Sequence, residues 1–439
     1  MTWARRDLLG AVAGWGTGLA GCVGRGTSDP GADSAATVTG TGPEPTPATA
    51  PAGAAFAYTH LRVTGNRVLD GPTDVDEATP VDVTVDSTPK WLLAFDGDPG
   101  SLWTVVTADG TATTHRIPPG ARDAEIVTDH GPVPTPPLGY VPDGTVGMVG
   151  GGSEYTHPVR VEGGWLSVTD EGDVAIRRDG GTTRLDVRAP TDAQVVAVGD
   201  ERYALYGRRT DRYRHGALGD TVEGSSLVVV DAANELIETE TRLDRPLVFE
   251  GLSPLVADAD GDGEVEIVTT VADSADGARI RIYGTEGTSL ATGPVYGSGW
   301  RHQLCVAPFA PDGTPELAVV RKPHVDHTLE FYRFRSDGSD DGLRVVATHE
   351  GYASHTYGSR NLDGGLAGDL DGDGRTELLV PRTDRSTLDA VVRTDGDAET
   401  AWSLSLPGSL STNLTGVAFD DGRGAVGAGT VEGVRVWQL

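Results

Sequence analysis

GDLDGDGRTELLVP, the stretch from Gly368 to Pro381, sets a cluster of carboxylates directly before an apolar run. A second stretch, VADADGDGEVEIV from Val256 to Val268, repeats the arrangement. Each stretch contains a nine-residue pattern, Asp369–Glu377 in the first and Asp258–Glu266 in the second. Carboxylates occupy positions 1, 3, 5 and 9 of the pattern, and glycine occupies positions 4 and 6, where it permits left-handed backbone turns. The pattern predicts a tight, acidic turn that leads into a β-strand.

The spacing of the acidic residues indicates calcium. Alternating aspartates on a tight turn point several oxygens at one centre, and calcium takes 6 to 8 oxygen ligands. An EF-hand is excluded, because its bidentate glutamate at position 12 is replaced by Thr269 and Val380. We therefore expect about two calcium ions with a structural role, against the alternative of acidic turns without metal.

Both stretches resemble the calcium hairpins of FG-GAP or VCBS-type repeat proteins, whose relatives include the seven-bladed β-propellers of integrin α chains. The motifs carry the resemblance from Leu252 to Leu439, whereas Tyr58 to Gly251 shares only the periodicity. The resemblance implies a calcium ion between the first two strands of a blade, with the backbone carbonyls of Glu264 and Arg375 at position 7. The implied carboxylate ligands are Asp258, Asp260, Asp262 and Glu266 in one turn, and Asp369, Asp371, Asp373 and Glu377 in the other.

Other blades depart from the motif. PFAPDGTPE, from Pro308 to Glu316, keeps only Asp312 and Glu316 in register, and AFDDGRGAV near the C-terminus lacks the pattern as well. We expect these blades to keep the turn without the metal.

Short apolar runs separated by glycine-rich turns recur from Tyr58 onward, which predicts an all-β chain. The recurrence has a period typical of propeller blades of four antiparallel strands. It predicts a seven-bladed β-propeller, with six or eight blades left open because the second unit is hard to divide. Tyr58–Leu69 precedes the first unit and is expected to supply the outer strand that closes the ring. The units begin near Trp91, Leu138, Gln194, Leu255, Leu304, Leu366 and Leu414.

The N-terminus reads as an export signal followed by a tether. Residues 1–22 contain Arg5 and Arg6, a short apolar run and Cys22, which resembles a twin-arginine lipoprotein signal. Residues 23–55 have almost no large apolar side chain and are expected to form a disordered tether. The propeller is assigned to residues 56–439. The chain is thus predicted to sit on the extracellular face of the cell membrane, lipid-anchored at Cys22, which leaves Cys305 without an intramolecular partner.

The charge excludes some partners. Asp and Glu outnumber Lys and Arg by 65 to 35, giving a formal net charge of -30. This charge argues against nucleic acid as a partner. Only Lys90 and Lys322 are lysines, and an acidic, lysine-poor composition resembles proteins of salt-loving archaea.

Catalytic motifs such as GxSxG, HExxH, Walker A and CxxC are absent from the sequence. We therefore predict a monomeric, non-enzymatic binding or adhesion module with an extracellular protein or glycan ligand. The alternative is an extracellular enzyme on a propeller scaffold, such as a polysaccharide lyase or hydrolase.

Several histidines fall in loops predicted to lie opposite the calcium turns, where they could bind a metal or a sugar. At least three are expected in one pocket near the axis, against the alternative of solvated loop residues. Asn413 begins a glycosylation sequon. The histidines are His215, His302, His324, His327 and His355.

Overall fold

The computed structural model describes residues 53–295, 297, 299–335, 342–419 and 422–438. They form β-strands joined by turns and loops, which confirms the all-β prediction. Within this part of the chain, no helix has the length and apolar character needed to cross a membrane. The predicted signal peptide, Cys22 and most of the predicted tether lie outside the described residues.

Sixteen of the described strands lie between residues 55 and 242. These are β1 (Ala55–Tyr58), β2 (Pro80–Val83), β3 (Pro89–Asp96), β4 (Ser101–Thr107), β5 (Thr111–Ile117), β6 (Glu125–Pro132), β7 (Leu138–Val141), β8 (Gly147–Val149), β9 (Val159–Val161), β10 (Gly164–Val168), β11 (Val174–Arg178), β12 (Gly181–Leu185), β13 (Val196–Gly199), β14 (Arg202–Gly207), β15 (Ser226–Asp231) and β16 (Leu236–Arg242).

Sixteen more described strands lie between residues 248 and 438. These are β17 (Val248–Phe249), β18 (Leu255–Ala257), β19 (Glu266–Ala272), β20 (Arg279–Tyr283), β21 (Ser289–Thr292), β22 (Arg301–Ala307), β23 (Glu316–Arg321), β24 (Thr328–Phe334), β25 (Leu343–Glu350), β26 (Leu366–Gly368), β27 (Glu377–Pro381), β28 (Thr387–Thr394), β29 (Asp397–Ser405), β30 (Leu410–Ala418), β31 (Gly424–Thr430) and β32 (Gly433–Gln438).

The strands pair into eight antiparallel sheets, which are the blades of a β-propeller. Strands β3–β6 form blade 1, β9–β12 blade 3, β13–β16 blade 4, β17–β21 blade 5, β22–β25 blade 6 and β26–β29 blade 7. Blades 2 and 8 each borrow a strand from the N-terminal part of the chain. Blade 2 has the order β1-β7-β8, and blade 8 combines β30, β31 and β32 with β2.

Burial follows the position of a strand in its blade. All of β22, the inner strand of blade 6, is buried because neighbouring blades cover both of its faces. Outer strand β29 instead alternates between exposed and covered positions. The continuous apolar runs and the alternating runs of the sequence therefore mark inner and outer strands, respectively.

The described residues form eight blades, one of the numbers left open beside the predicted seven. The region assigned to one unit between Leu138 and Gln194 contains both blade 2 and blade 3. Blade 2 has only two short strands of its own, and β1 completes it, with Phe56 opposite Tyr140. Because the completing strand lies far upstream, the local sequence shows no full repeat there.

The predicted ring closure is also corrected. The closing outer strand is β2, which pairs with β32 and sets Val81 opposite Val436. Residues 59–75, which we call the axial segment, take a different path. Their backbone bonds to inner strands of three blades, since the Val63 carbonyl accepts from Ala197 N at 2.8 Å, the Thr64 carbonyl accepts from Val256 N at 3.0 Å, and Leu69 N donates to the Ala367 carbonyl at 2.7 Å. The axial segment therefore lies inside the ring of inner strands.

Candidate functional site

The first acidic turn joins β18 to β19 in blade 5. Gly261 and Gly263 have φ angles of 82° and 92°, the left-handed region that glycine permits. The turn wraps around Asp258, whose Oδ1 accepts from Gly261 N at 2.7 Å and whose Oδ2 accepts from Gly263 N at 3.0 Å. One carboxylate oxygen each of Asp258, Asp260 and Asp262 lies within 4.8 Å of the others. Oxygens that share one calcium ion have this separation, given calcium–oxygen distances of about 2.3 to 2.6 Å.

The second acidic turn joins β26 to β27 in blade 7 and gathers Asp369, Asp371 and Glu377 in the same way. Glu377 is fully buried, and its Oε2 accepts from Leu370 N at 2.7 Å. Its Oε1 and the Oδ1 of Asp369 are buried without a hydrogen-bond partner. Buried polar atoms normally have a partner, so two unpartnered carboxylate oxygens in one cluster are suited to a cation.

The electrostatics of both turns show an excess of negative charge. Burial, together with the three aspartates of its turn, raises the pKa of Glu266 to about 7. Burial and the neighbouring aspartates likewise raise the pKa of Glu377 to about 8. Among the described residues, neither glutamate forms an ion pair with arginine or lysine.

Blade 6 provides an internal comparison. Glu316 occupies the position equivalent to Glu266 and Glu377, at the end of a turn that keeps only one of the three aspartates, Asp312. It is fully buried, and its two oxygens lie 2.7 Å from Arg333 and 2.8 Å from Arg393. The guanidinium groups of Arg333 and Arg393 thus supply the positive charge at Glu316 that the two acidic turns lack.

Not every residue of the implied calcium set faces the cluster. The Asp373 carboxylate turns to the side chain of Arg375, with which it makes an ion pair at 2.6 Å. Glu264 is exposed, and its backbone N donates to Asp262 Oδ1 at 2.9 Å. Trp402 from β29 adds a contact that the sequence did not suggest, because its Nε1 donates to Asp371 Oδ2 at 3.0 Å.

Strand direction places the histidines on the other face of the propeller. The acidic turns join first to second strands, whereas the turns between second and third strands and the connections between blades lie on the opposite face. We call this second face the mouth; its parts include residues 208–225, 322–327 and 351–365. It carries His215, His324, His327 and His355, and β22 begins there with His302 as its second residue.

Three of these histidines form one cluster with Trp300. The Nε2 atoms of His324 and His355 lie 3.0 Å apart. The rings of His302 and His355 meet edge to face with centroids 5.4 Å apart, and Trp300 lies 4.8 Å from His302. Burial lowers the pKa of His355 to about 3 and also lowers that of His324. Both rings are therefore neutral at physiological pH.

A buried acidic pair lies next to this cluster. The inner strand of blade 5 is interrupted between β17 and β18. Glu250 lies in this interruption, directly after β17, and is only 2% exposed. One of its oxygens contacts His215 Nδ1, and the other is buried without a partner. Burial raises the pKa of both Glu223 and Glu250, and the charge of Glu250 raises the pKa of Glu223 further. The hydrogen bond to Glu250 raises the pKa of His215.

The connection 351–365 crosses the mouth. Its Arg360 forms ion pairs with Asp192 at 2.8 Å and with Asp220 at 2.5 Å, and its guanidinium lies 4.3 Å from the ring centre of Tyr155. A hollow of about 340 Å³ opens beside it. Its lining includes Lys90, Trp91, Tyr155, Arg360 and Asn361. The cavities next to His302 and His355 are much smaller, about 30 and 20 Å³.

The glycosylation prediction for Asn413 is corrected. Asn413 lies on β30, the inner strand of blade 8, and is fully buried. Its amide accepts from Leu92 N at 2.9 Å and donates to the Leu92 carbonyl at 2.8 Å. The side chain therefore links blade 8 to blade 1 and has no room for a glycan in this fold.

Sequence reasoning missed Glu223, Glu250 and Trp300. The two glutamates stand on different blades and form no local motif, so only the fold brings them together. Trp300 did carry a signal, because it precedes His302 by two positions, the spacing of side chains on one face of a strand.

No family model matches the sequence, and no curated protein matches it either. Solved structures do match. BamB from Moraxella catarrhalis is 12% identical with a TM-score of 0.41, over 82% of this chain and 98% of that chain. The BBS1N structure, solved in complex with ARL6DN, is 10% identical with a TM-score of 0.43, over 82% of this chain and 97% of that chain.

Proposed function

We propose that this chain is a calcium-stabilised β-propeller, exported and lipid-anchored at Cys22, that binds an extracellular ligand at the mouth. Calcium at the two acidic turns has a structural role in this proposal. The calcium proposal rests on a comparison of the glutamates that end the equivalent turns of blades 5, 6 and 7. Glu316 has two arginines as counter-ions, whereas Glu266 and Glu377 are buried beside aspartates with raised pKa values and no basic partner among the described residues.

A calcium ion would supply the positive charge that the carboxylates of the two acidic turns lack. Buried carboxylates that are neither paired nor bound to metal are costly, and the orphaned oxygens of Asp369 and Glu377 are suited to a hard cation. Asp258, Asp260 and Asp262 would hold the ion in blade 5, and Asp369, Asp371 and Glu377 would hold it in blade 7.

The calcium proposal is tested by stoichiometry. Equilibrium dialysis of the chelated protein against calcium should give two bound ions per chain. The single variants Asp260→Asn and Asp371→Asn should each bind one, and Asp312→Asn, in the turn of blade 6, should still bind two. Unaltered binding in either of the first two variants would assign calcium to other residues.

The anchor has its own test. Cys22→Ser should release the folded propeller into the medium, whereas Cys305→Ser should leave the protein on the membrane. A Cys22→Ser variant that stays on the membrane with unchanged mobility would contradict the lipid anchor.

We take an acidic glycan as the ligand of the mouth. The hollow of about 340 Å³ has the size of a small-ligand site. The exposed aromatic ring of Tyr155 can pack against a sugar ring. Lys90, exposed and without an ion pair among the described residues, can pair with a sugar carboxylate.

Binding can be measured by retention on immobilised acidic polysaccharides. Tyr155→Ala and Lys90→Gln should each weaken retention about tenfold, and Lys322→Gln, the matched lysine control, should not. Equal retention of all three variants would remove the hollow as the binding site.

The buried pair Glu223 and Glu250 favours the enzymatic alternative, because two carboxyl groups with raised pKa values beside a histidine can serve as acid and base. The same polysaccharides separate the two functions. A binding module leaves the polymer intact, whereas a hydrolase creates reducing ends and a lyase creates new double bonds, which Glu223→Gln would abolish.

A further inference from the structure

The histidine pair at the mouth has the geometry of two metal ligands. Two nitrogens bound to one tetrahedral zinc ion lie about 3.3 Å apart, given zinc–nitrogen distances of about 2.0 to 2.1 Å. The Nε2 atoms of His324 and His355 are 3.0 Å apart, and their rings meet at 76°. A small movement of either ring would admit the ion between them.

His355 has the support expected around a metal ligand. Ligating imidazoles usually engage their second nitrogen in a hydrogen bond that fixes the ring. His355 Nδ1 lies 3.0 Å from the Ser354 hydroxyl, which leaves Nε2 directed at His324. His302 and Trp300 pack against the His355 ring from behind.

A third ligand is at hand on the neighbouring turn. His215 stands two residues before Ala217, whose carbonyl accepts from Gly358 N at 2.9 Å and joins this turn to the connection that carries His355. Its charge also adds to the effect of burial in lowering the pKa values of His324 and His355. Its Nδ1 is held by Glu250, so Nε2 is the atom left for a metal. This is the carboxylate–histidine–metal arrangement, and Glu250 would be a positioning residue.

We propose that His324, His355 and His215 form a binding site for a transition-metal ion such as zinc at the mouth of the propeller. The inference rests on the proposal that the mouth is the ligand-binding face, but it does not require calcium at the acidic turns. Three imidazole nitrogens favour zinc, cobalt, nickel or copper over calcium, which takes oxygen ligands. A fourth position stays open for water or for an oxygen of the bound ligand.

The turn that carries His215 has to move for the site to close. Among the described residues, only the two acidic groups have three ligand atoms within 4.8 Å of one another. His215 retains 30% of its side-chain exposure, and rotation of its ring about the Nδ1 contact with Glu250 would bring Nε2 toward the pair.

A second histidine pair serves as a comparison. His60 Nδ1 and His157 Nε2 lie 3.3 Å apart with stacked rings, and both residues are 2% exposed. No carboxylate contacts either ring among the described residues. This pair is sealed inside the propeller and should bind no metal.

Cobalt is the probe that separates the proposed site from the acidic turns. Nitrogen-ligated tetrahedral Co²⁺ absorbs visible light far more strongly than Co²⁺ held by carboxylate oxygens. The full chain, saturated with calcium, should develop strong visible bands with one equivalent of Co²⁺, and zinc should abolish them. His324→Ala and His355→Ala should lose the bands, and Glu250→Gln should weaken affinity about 10- to 100-fold.

The controls keep the outcome readable. His157→Ala and Asp371→Asn should retain the bands. An unmodified chain that develops the bands but fails to bind two calcium ions would sink the calcium proposal alone. Folding of each variant is checked by its cooperative melting. Absence of strong bands in the unmodified chain, or their persistence in folded His324→Ala and His355→Ala, would overturn the metal site.

Discussion

A single glutamate position shows how one residue type is neutralised in two ways. Glu316 ends the turn of blade 6 between two arginines, and Glu377 ends the turn of blade 7 beside two aspartates. Both are fully buried. Removing the charge should therefore have opposite consequences in the two blades.

Glu316→Gln should destabilise the protein by about 3 to 5 kcal/mol with or without calcium, because it leaves two arginines without their buried partner. Glu377→Gln should destabilise only the calcium-loaded protein. In metal-free protein at pH 7 it should be neutral or stabilising by roughly 1 to 3 kcal/mol, since the carboxyl group with a pKa of about 8 is then costly to ionise. Urea unfolding with calcium or chelator measures both effects. Equal losses for Glu377→Gln in the two conditions would exclude it as a calcium ligand.

At the residue scale the sequence predicted what lies within one turn. Asp258, Asp260 and Asp262 converge because their spacing and the two glycines determine the local backbone. The contact of Glu250 with His215 was not predictable, because it depends on the break in the inner strand of blade 5.

The axial segment is the element that ties the inner strands together. Arg67 forms a buried ion pair with Asp363 at 2.7 Å, and the Asn66 amide bonds the backbone of Val306 in both directions at 2.9 Å. At its start, His60 stacks on His157. Protonation of the buried histidines should therefore weaken the packing of the axial segment.

Acid should loosen this element. Burial lowers the pKa of His157 to about 4 from its ordinary 6.5, so the unfolded chain binds a proton that the folded chain excludes. The free energy of unfolding is therefore unaffected by titration of His157 above pH 6.5 and decreases by about 3 kcal/mol as the pH falls from 6.5 to about 4. His157→Gln should flatten the fall in stability over this window, whereas His349→Gln should not. A fall of unchanged slope in His157→Gln would contradict a neutral buried His157.

The sequence predicted the hairpins better than the strands borrowed from far away. Ring closure was expected from Tyr58–Leu69 and not from PVDV, residues 80–83, because nothing near that strand indicates that its partner is β32. Pairing between distant strands depends on the closed ring, which the local pattern does not contain.

The whole propeller is closed through the second acidic turn. Thr73 N donates to the Asp369 carbonyl at 2.8 Å and Val75 N to the Leu370 carbonyl at 2.9 Å, just before the chain reaches β2 and completes blade 8. Calcium in blade 7 would thus order the backbone on which the closing segment docks. The blade 5 turn has no such contact with the closing segment among the described residues.

The most direct test of a calcium-stabilised propeller is its melting temperature with calcium and after chelation, at constant ionic strength and with magnesium present in both samples. With calcium at about 100 times the dissociation constant, each site adds about 2.7 kcal/mol. Two sites should raise the melting temperature by about 5 to 10 °C. The Asp260→Asn, Asp371→Asn double variant should melt at one temperature in both conditions. A melting temperature of the unmodified chain that chelation leaves unchanged would contradict structural calcium.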